Sequence, residues 1–224
     1  MKTVVLISAI AEWVAVKPLF RRAKLEQFPF GECFTIPMQD EQISYFHSGW
    51  GKISSAGSMQ YVIDHYSPDL IVNLGTCGGF EGAVNQGDVI LVEKTYVYDI
   101  VELMGDLDVV SYYASSLDLS WLAEPYPFPA IRGMIASADS DLPPAMIPFL
   151  KSLGAIAADW ESAALAWVAR RNNARLIILR GVSDMVSEEG GEVYDNIEMF
   201  NERARGIMQQ LVEQLPEWLN AVKL

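Results

Sequence analysis

Continuous apolar runs alternate along this chain with stretches whose apolar residues recur at helical spacing. "TVVLISAI" (Thr3–Ile10) carries no charge and reads as a buried strand. Residues from about 12 to 24 read as a helix, and "CFTIPM" and "QISYFHSG" as two short strands. "GKISSAGSMQYVIDHY" has small and apolar residues at helical spacing and stops before Ser67-Pro68. "DLIVNLGT" is a second buried strand, running into a predicted loop at Gly75-Thr76-Cys77-Gly78-Gly79. "GDVILVEKTYVYD" reads as a long strand, and "AIRGMIASADSDL" as a strand and a turn before Pro143-Pro144. "GAIAAD" is a strand leading into the helix of "AADWESAALAWV", and "ARLIILRGVSD" is a strand with a polar end. The tail from about 197 to 222 is an amphipathic helix. The stretch 103–129 is the least regular and reads as a loop, a lid or a dimer surface.

Strands alternating with helices predict an α/β fold with a largely parallel sheet and helices on both faces. With 224 residues and no linker, repeat or low-complexity segment, one domain over 1–224 is expected. The chain is 51% hydrophobic and 20% charged, ample for a core. Its net charge of −13 argues against a nucleic-acid or membrane-surface partner, which would want clustered Lys and Arg. Two cysteines and two histidines, scattered, suggest neither a disulfide framework nor a metal site, and no cofactor is expected. The apolar run at the N-terminus is short and meets Glu12, so it reads as a first strand rather than a signal peptide. A cytoplasmic location is the expectation.

In open α/β sheets, ligands bind at the carboxyl ends of strands. Five strand ends here are polar or glycine-rich: Ser8 to Glu12, "GTCGG", "SADSD", "DWES" and "RGVSD". The glycines of "LGTCGG" allow either close approach to a ligand or a tight packed turn. Asp184 reads as a helix cap or as a general acid whose proton affinity is raised in a partly apolar place. Asp159 and Glu161 read as helix-start caps or as acceptors for neighbouring hydroxyls. Trp160 fills core or lies against a sugar or base. His47, His65 and Cys77 read as structural, Cys77 because no basic partner is adjacent in sequence.

Taken in order, "ISAIAEWVAV", "SGWGKISSAGSMQYVIDHYSPDLIVNLGTCGGF", "GDVILVEKTYVYD", "IASADSDL", "AIAADWESAALAWVA" and "LIILRGVSDMV" resemble the nucleoside phosphorylase/nucleosidase superfamily. Within it they look most like the 5′-methylthioadenosine/S-adenosylhomocysteine nucleosidases. The resemblance spans nearly the whole chain and is weakest over 101–132. It implies a phosphorylase/hydrolase-like domain with a central mixed sheet flanked by helices, no cofactor, and a homodimer whose surface is the aromatic-rich stretch 96–113. It implies hydrolysis of a purine nucleoside through an oxocarbenium-like transition state. Asp184 would be the acid at purine N7, positioned by Ser183. Glu161 would bind the ribose hydroxyls with Trp160 beside the sugar, and Thr76 and Gly78 would line the anomeric side. Leu142 would present backbone groups to the purine edge.

Two positions depart from the family pattern. The water-activating glutamate aligns with Trp13, with Glu12 one residue early; a one-residue offset is about 100° around a helix. Glu12 serves as base only if the loop shifts. A stacking phenylalanine is replaced by Asp141, which can accept a hydrogen bond instead; Trp50, Trp160, Tyr98, Tyr112 or Tyr113 would then supply the stacking. The family's phosphorylases carry an arginine just before the Gly-Thr turn, where this chain has Asn73 and Leu74, which favours water over phosphate. Arg21, Arg22 and Arg180 are the remaining phosphate candidates, with Arg180 read first as an ion-pair partner. A phosphorylase, a futalosine-hydrolase-like enzyme and a non-catalytic nucleoside-binding module are the alternative readings.

Overall fold

The computed structural model describes residues 1–38, 41–105 and 109–223. Its strands are β1 (Thr3–Ile7), β2 (Glu26–Phe28), β3 (Gly31–Met38), β4 (Glu41–His47), β5 (Leu70–Phe80), β6 (Val89–Val97), β7 (Ser115–Ser116), β8 (Ile131–Ser137), β9 (Ala155–Asp159), β10 (Leu176–Ser187) and β11 (Gly190–Gly191). Its helices are α1 (Ile10–Val16), α2 (Gly51–Tyr66), α3 (Val109–Tyr113), α4 (Ile147–Ser152), α5 (Ser162–Asn172) and α6 (Ile197–Asn220).

All the strands join one mixed sheet in the order β11-β10-β6-β8-β9-β5-β1-β4-β3-β2, with β7 on β6. β10 also pairs with β5, so β10, β6, β8, β9 and β5 close into a ring, and β1 to β4 continue as an open wing. The β1–β4, β1–β5, β5–β10, β6–β8 and β8–β9 pairs are parallel. β5–β9, β6–β10 and β3–β4 are antiparallel, so the sheet is mixed rather than largely parallel.

The inner strands are mostly apolar because both faces are covered. Val5, Ile7, Leu70, Val72, Leu74, Ile177 and Leu179 face α1 and α6. Val4, Leu6, Ile71, Ile178 and Val182 face α2 and α5. Met208, Leu211, Leu215 and Trp218 of α6 are wholly buried. Their spacing of three, four and three residues is one helical face, and each side chain contributes roughly 1.5–3 kcal/mol by leaving water.

The structure corrects three expectations. The first strand ends at Ile7, and α1 begins at Ile10 and gives way at Lys17 to a short 3₁₀ turn that carries Pro18. β1 pairs with β4 as far as Ile7↔His47, where the Ile7 carbonyl accepts from Ser48 N at 2.8 Å as the last rung. The glycine-rich segment is no loop: β5 runs through it, paired to β10 as far as Phe80 and to β9 at Gly78 and Gly79. The glycines serve close packing, for a Cβ on Gly79 would lie 2.6 Å from both Val182 and Val84, and one on Gly78 2.7 Å from Val186. Strand β2 and helix α4 were not anticipated: each is shorter than two turns' worth of pattern.

Candidate functional site

A cavity of about 630 Å³ opens where β5, β9 and β10 leave the ring, bordered by the start of α1 and the segment before α6. Glu12, Thr76, Gly78, Asp141, Leu142, Trp160, Glu161, Ser183 and Asp184 all line it. The sequence names these nine from separate strand ends, and the fold brings them together.

Glu12 faces inward. It is 4% exposed, and its Oε1 accepts from Thr76 N at 2.6 Å and Thr76 Oγ1 at 2.8 Å. Its Oε2 accepts from Ala9 N at 3.2 Å, the N-cap position of α1. Trp13 turns the other way into the core, stacks on His47 and donates from Nε1 to Glu32. Of the two neighbours, Glu12 lines the cavity and Trp13 does not. Burial raises the Glu12 carboxyl above its ordinary range, against the pull of Arg180 and the Thr76 bonds.

Behind Glu12 lies Arg180, 1% exposed, whose Nε donates to Asp159 Oδ2 at 2.8 Å. A Cβ on Gly75 would sit 2.7 Å from Arg180 Nη1 and 3.0 Å from Glu12 Oε1, so the missing side chain is what admits both groups. Asp159 starts α5: it accepts from Ser162 N and Ser162 Oγ and from Ser137 Oγ at 2.5 Å. Glu161 caps nothing on its own helix. Its Oε1 accepts from Gly51 N at 3.1 Å, at the N-terminus of α2. Burial, with Asp159 and Glu12 adding to it, pushes the Glu161 carboxyl up to about 8. One buried guanidinium faces three carboxylates, so a proton is retained among them.

Asp184 owes its direction to a β-bulge. The β5–β10 register runs Val182↔Cys77 and then Asp184↔Gly78, so Ser183 is the extra residue. Such a bulge re-aims side chains at a strand end. Ser183 Oγ donates to Asp184 Oδ1 at 2.6 Å and also lies 3.2 Å from the Cys77 carbonyl oxygen. Burial raises the Asp184 carboxyl, opposed by Ser183 and Arg203. Cys77 itself is buried among carboxylates that push its thiol further up, and it does not act as a thiolate.

Trp50 and Trp160 meet at the cavity wall with ring centroids 4.7 Å apart. Tyr98 also lines the cavity, whereas Tyr112 and Tyr113 pack on Trp167 outside it. The sequence reading missed Val193, Tyr194, Asp195, Asn196, Ile197 and Phe200, which close one side. Tyr194 donates to the Leu142 carbonyl at 3.1 Å, so that carbonyl is already partnered. The only local signal for this segment is Asn196, whose side chain caps α6 through Met199 N. His47, His65, Arg21 and Arg22 lie outside the lining, and Arg180 lies behind it. Among the described residues no group of three or more His, Cys, Asp or Glu is arranged to hold a metal ion. Nor, among them, is any helix long and apolar enough to cross a membrane.

A family model for the phosphorylase superfamily matches residues 3–215. The chain is 26% identical over 77% of its length to a 5′-methylthioadenosine/S-adenosylhomocysteine nucleosidase of Anoxybacillus flavithermus, covering 79% of that protein. It is 25% identical over 97% of its length to the Bacillus licheniformis nucleosidase of the same name, covering 99% of it. Among solved structures, the Streptococcus pneumoniae MTA/SAH nucleosidase in complex with 8-aminoadenine superposes with a TM-score of 0.81 at 21% identity, over 99% of this chain and 100% of that one.

Proposed function

The chain belongs to the phosphorylase superfamily, and we propose that it is a purine nucleosidase. It splits the N-glycosidic bond of a nucleoside such as 5′-methylthioadenosine or S-adenosylhomocysteine with water. The observation that carries this reading is the charge of the cavity. Among its described lining residues are six carboxylates, Glu12, Asp141, Asp159, Glu161, Asp184 and Asp195, and no Lys, Arg or His. A phosphate dianion has no cation to meet there and would be repelled. A ribosyl group that gains positive charge as the bond breaks is stabilised by the same carboxylates.

Glu12 is the base. Fixed by two bonds from Thr76, it takes the proton of a water that attacks the anomeric carbon. Glu161 accepts the ribose hydroxyls, whose donors favour its ionised form, and Trp160 borders the sugar. Asp184, held by Ser183 at 2.6 Å, gives its raised proton to purine N7 as the base leaves. Proton transfer of this kind is worth roughly 10²–10⁴-fold. Thr76 and Gly78 border the anomeric side, and Asp141 and Leu142 border the purine. The indole pair takes over stacking at a site where Asp141 cannot stack.

The enzyme works as a homodimer. Ile53, Val101, Leu103 and Met104 are 86%, 75%, 88% and 95% exposed, an apolar surface that a second copy would cover. Part of the 96–113 stretch expected at this surface, residues 106–108, lies outside the described residues.

The test is free-base release, followed by chromatography, from methylthioadenosine, S-adenosylhomocysteine, adenosine, inosine and futalosine, with and without phosphate. Release without phosphate is expected. Release only with phosphate would make the protein a phosphorylase, and tight binding without release would make it a binding module.

A further inference from the structure

The cavity's acid is backed by an ion pair that takes no part in lining the cavity. Arg203, on α6, donates from Nη1 to the Ser183 carbonyl at 3.1 Å and to Glu192 Oε2 at 2.9 Å. Glu192, just past β11, accepts in addition from Met185 N at 3.2 Å, and its own N–H donates to the Met185 carbonyl at 3.1 Å. Ser183 and Met185 are the two chain neighbours of Asp184. One guanidinium and one carboxylate therefore grip the bulge from both sides, and tie β10, the segment after β11 and α6 to one another there. The buried face of α6 is Ala204, Met208, Leu211, Val212, Leu215 and Trp218, and Arg203 is not part of it.

We propose that Arg203 and Glu192 are positioning residues that clamp the Ser183–Asp184 bulge against the cavity, and whose opposite charges act in opposite directions on the Asp184 carboxyl. The proposal rests on Asp184 being the acid of the nucleosidase reaction. The groups that act most strongly on Asp184 come from several elements. Ser183 comes from its own strand, Arg203 from α6, Glu192 and Tyr194 from the segment between β11 and α6, and the Cys77 thiol from β5. Tyr194 and Cys77 both have their proton affinity raised, so they stay neutral around pH 7. The Arg203–Glu192 pair supplies the largest charged influences on Asp184, beside the other carboxyl groups that line the cavity, Glu12, Asp141, Asp159, Glu161 and Asp195. The arginine side chain is 23% and the glutamate 46% exposed, so solvent weakens their effect without removing it.

The sign of each contribution makes the clamp separable from simple scaffolding. R203M removes the cation and leaves Glu192 unopposed, so Asp184 should hold its proton to higher pH. E192Q leaves Arg203 unopposed, so Asp184 should lose its proton at lower pH. The double variant should return close to wild type. R203K keeps the charge and should keep the midpoint. A purely structural role would lower activity in both single variants without moving their midpoints in opposite directions.

The experiment measures kcat/KM for base release against pH in wild type and these four variants, whose alkaline limb reports the acid of the free enzyme. The expected result is a shift of about half a pH unit, upward in R203M and downward in E192Q, with kcat falling more than KM changes. Shifts of the same sign, or no shift in either variant, would overturn the proposal. The same midpoints are read without turnover by ¹³C NMR of protein labelled at aspartate carboxyls, with D184N identifying the resonance. Should wild type release no base, the nucleosidase reading fails, and the NMR titration still decides the clamp by the same signs.

Discussion

Glu12 Oε1 accepts from both the backbone N and the side-chain Oγ1 of Thr76, at 2.6 and 2.8 Å. A carboxylate one residue away from its expected place is thereby aimed at the rim where β5 ends its run beside β1. Replacing Glu12 by Gln leaves an oxygen to accept from Thr76 and removes the proposed base. Turnover should fall by roughly 10²–10⁴-fold with KM little changed. The wild-type rate should fall on the acid side as Glu12 is protonated, at a pH above the ordinary carboxylate range because burial raises it. A pH–rate profile and steady-state kinetics check both. An E12Q protein as fast as wild type would remove Glu12 from the mechanism.

Glu161 carries a stability cost that depends on pH. Its carboxyl is pushed up to about 8 from 4.5, so its ionisation disfavours the folded state. A raised folded pKa contributes stability that is complete below 4.5 and is lost as pH rises through about 8. Glu161→Gln keeps the acceptor for Gly51 N and cannot ionise. Its Tm should exceed that of wild type at pH 8, by an amount on the order of a few kcal/mol in free energy, and match it near pH 5. Thermal melts across that range provide the check, and nucleoside turnover in this variant should be largely lost.

In the proposed reaction Asp184 has the opposite demand, since there it holds the proton. The rate should decline as pH rises through its raised value. Asp184→Asn should lower kcat by roughly 10²–10⁴-fold while nucleoside binding, measured calorimetrically, stays within a few-fold. Full activity in this variant would remove the acid assignment. Ser183→Ala takes away the donor to Oδ1, so the carboxyl should lose a bond that favours its ionised form and its midpoint should rise.

Gly75 is where the fold leaves space for charge. Gly75→Ala places a Cβ 2.7 Å from Arg180 Nη1 and 3.0 Å from Glu12 Oε1. The neighbours are a guanidinium in a buried ion pair and a carboxylate held by Thr76, and neither can retreat freely. The variant should lose roughly 1–3 kcal/mol of stability, and its kcat should fall because Glu12 is displaced. Denaturant unfolding and kinetics on the same preparation test this. A fully active G75A with unchanged stability would show that the site tolerates more movement than this packing implies.

Periodicity read directly from the chain places α2 over Gly51–Tyr66 at both ends, because a glycine-rich start and Ser67-Pro68 bound a single helical stretch. It places β5, β6, β8, β9 and β10 because runs dominated by apolar residues are what doubly covered strands require. The residue types of the site were legible too, since carboxylates and a Ser-Asp pair at apolar strand ends stand out against their surroundings. Long-range pairing was not legible. The segment Gly75–Gly79 reads as a loop by composition, and becomes strand only because β10 and β9 supply partners more than 75 residues away. Glu12 rather than Trp13 faces the cavity because α1 starts at Ile10 and Thr76 supplies two donors. Tyr112 and Tyr113 find Trp167 instead of the cavity, and Tyr194 finds Leu142. The sequence by itself determined which local conformations and chemical groups were present, because those depend on neighbours a few residues apart. The tertiary structure decided which groups share a cavity, because that depends on strand register, a one-residue bulge at Ser183 and the space left by a glycine.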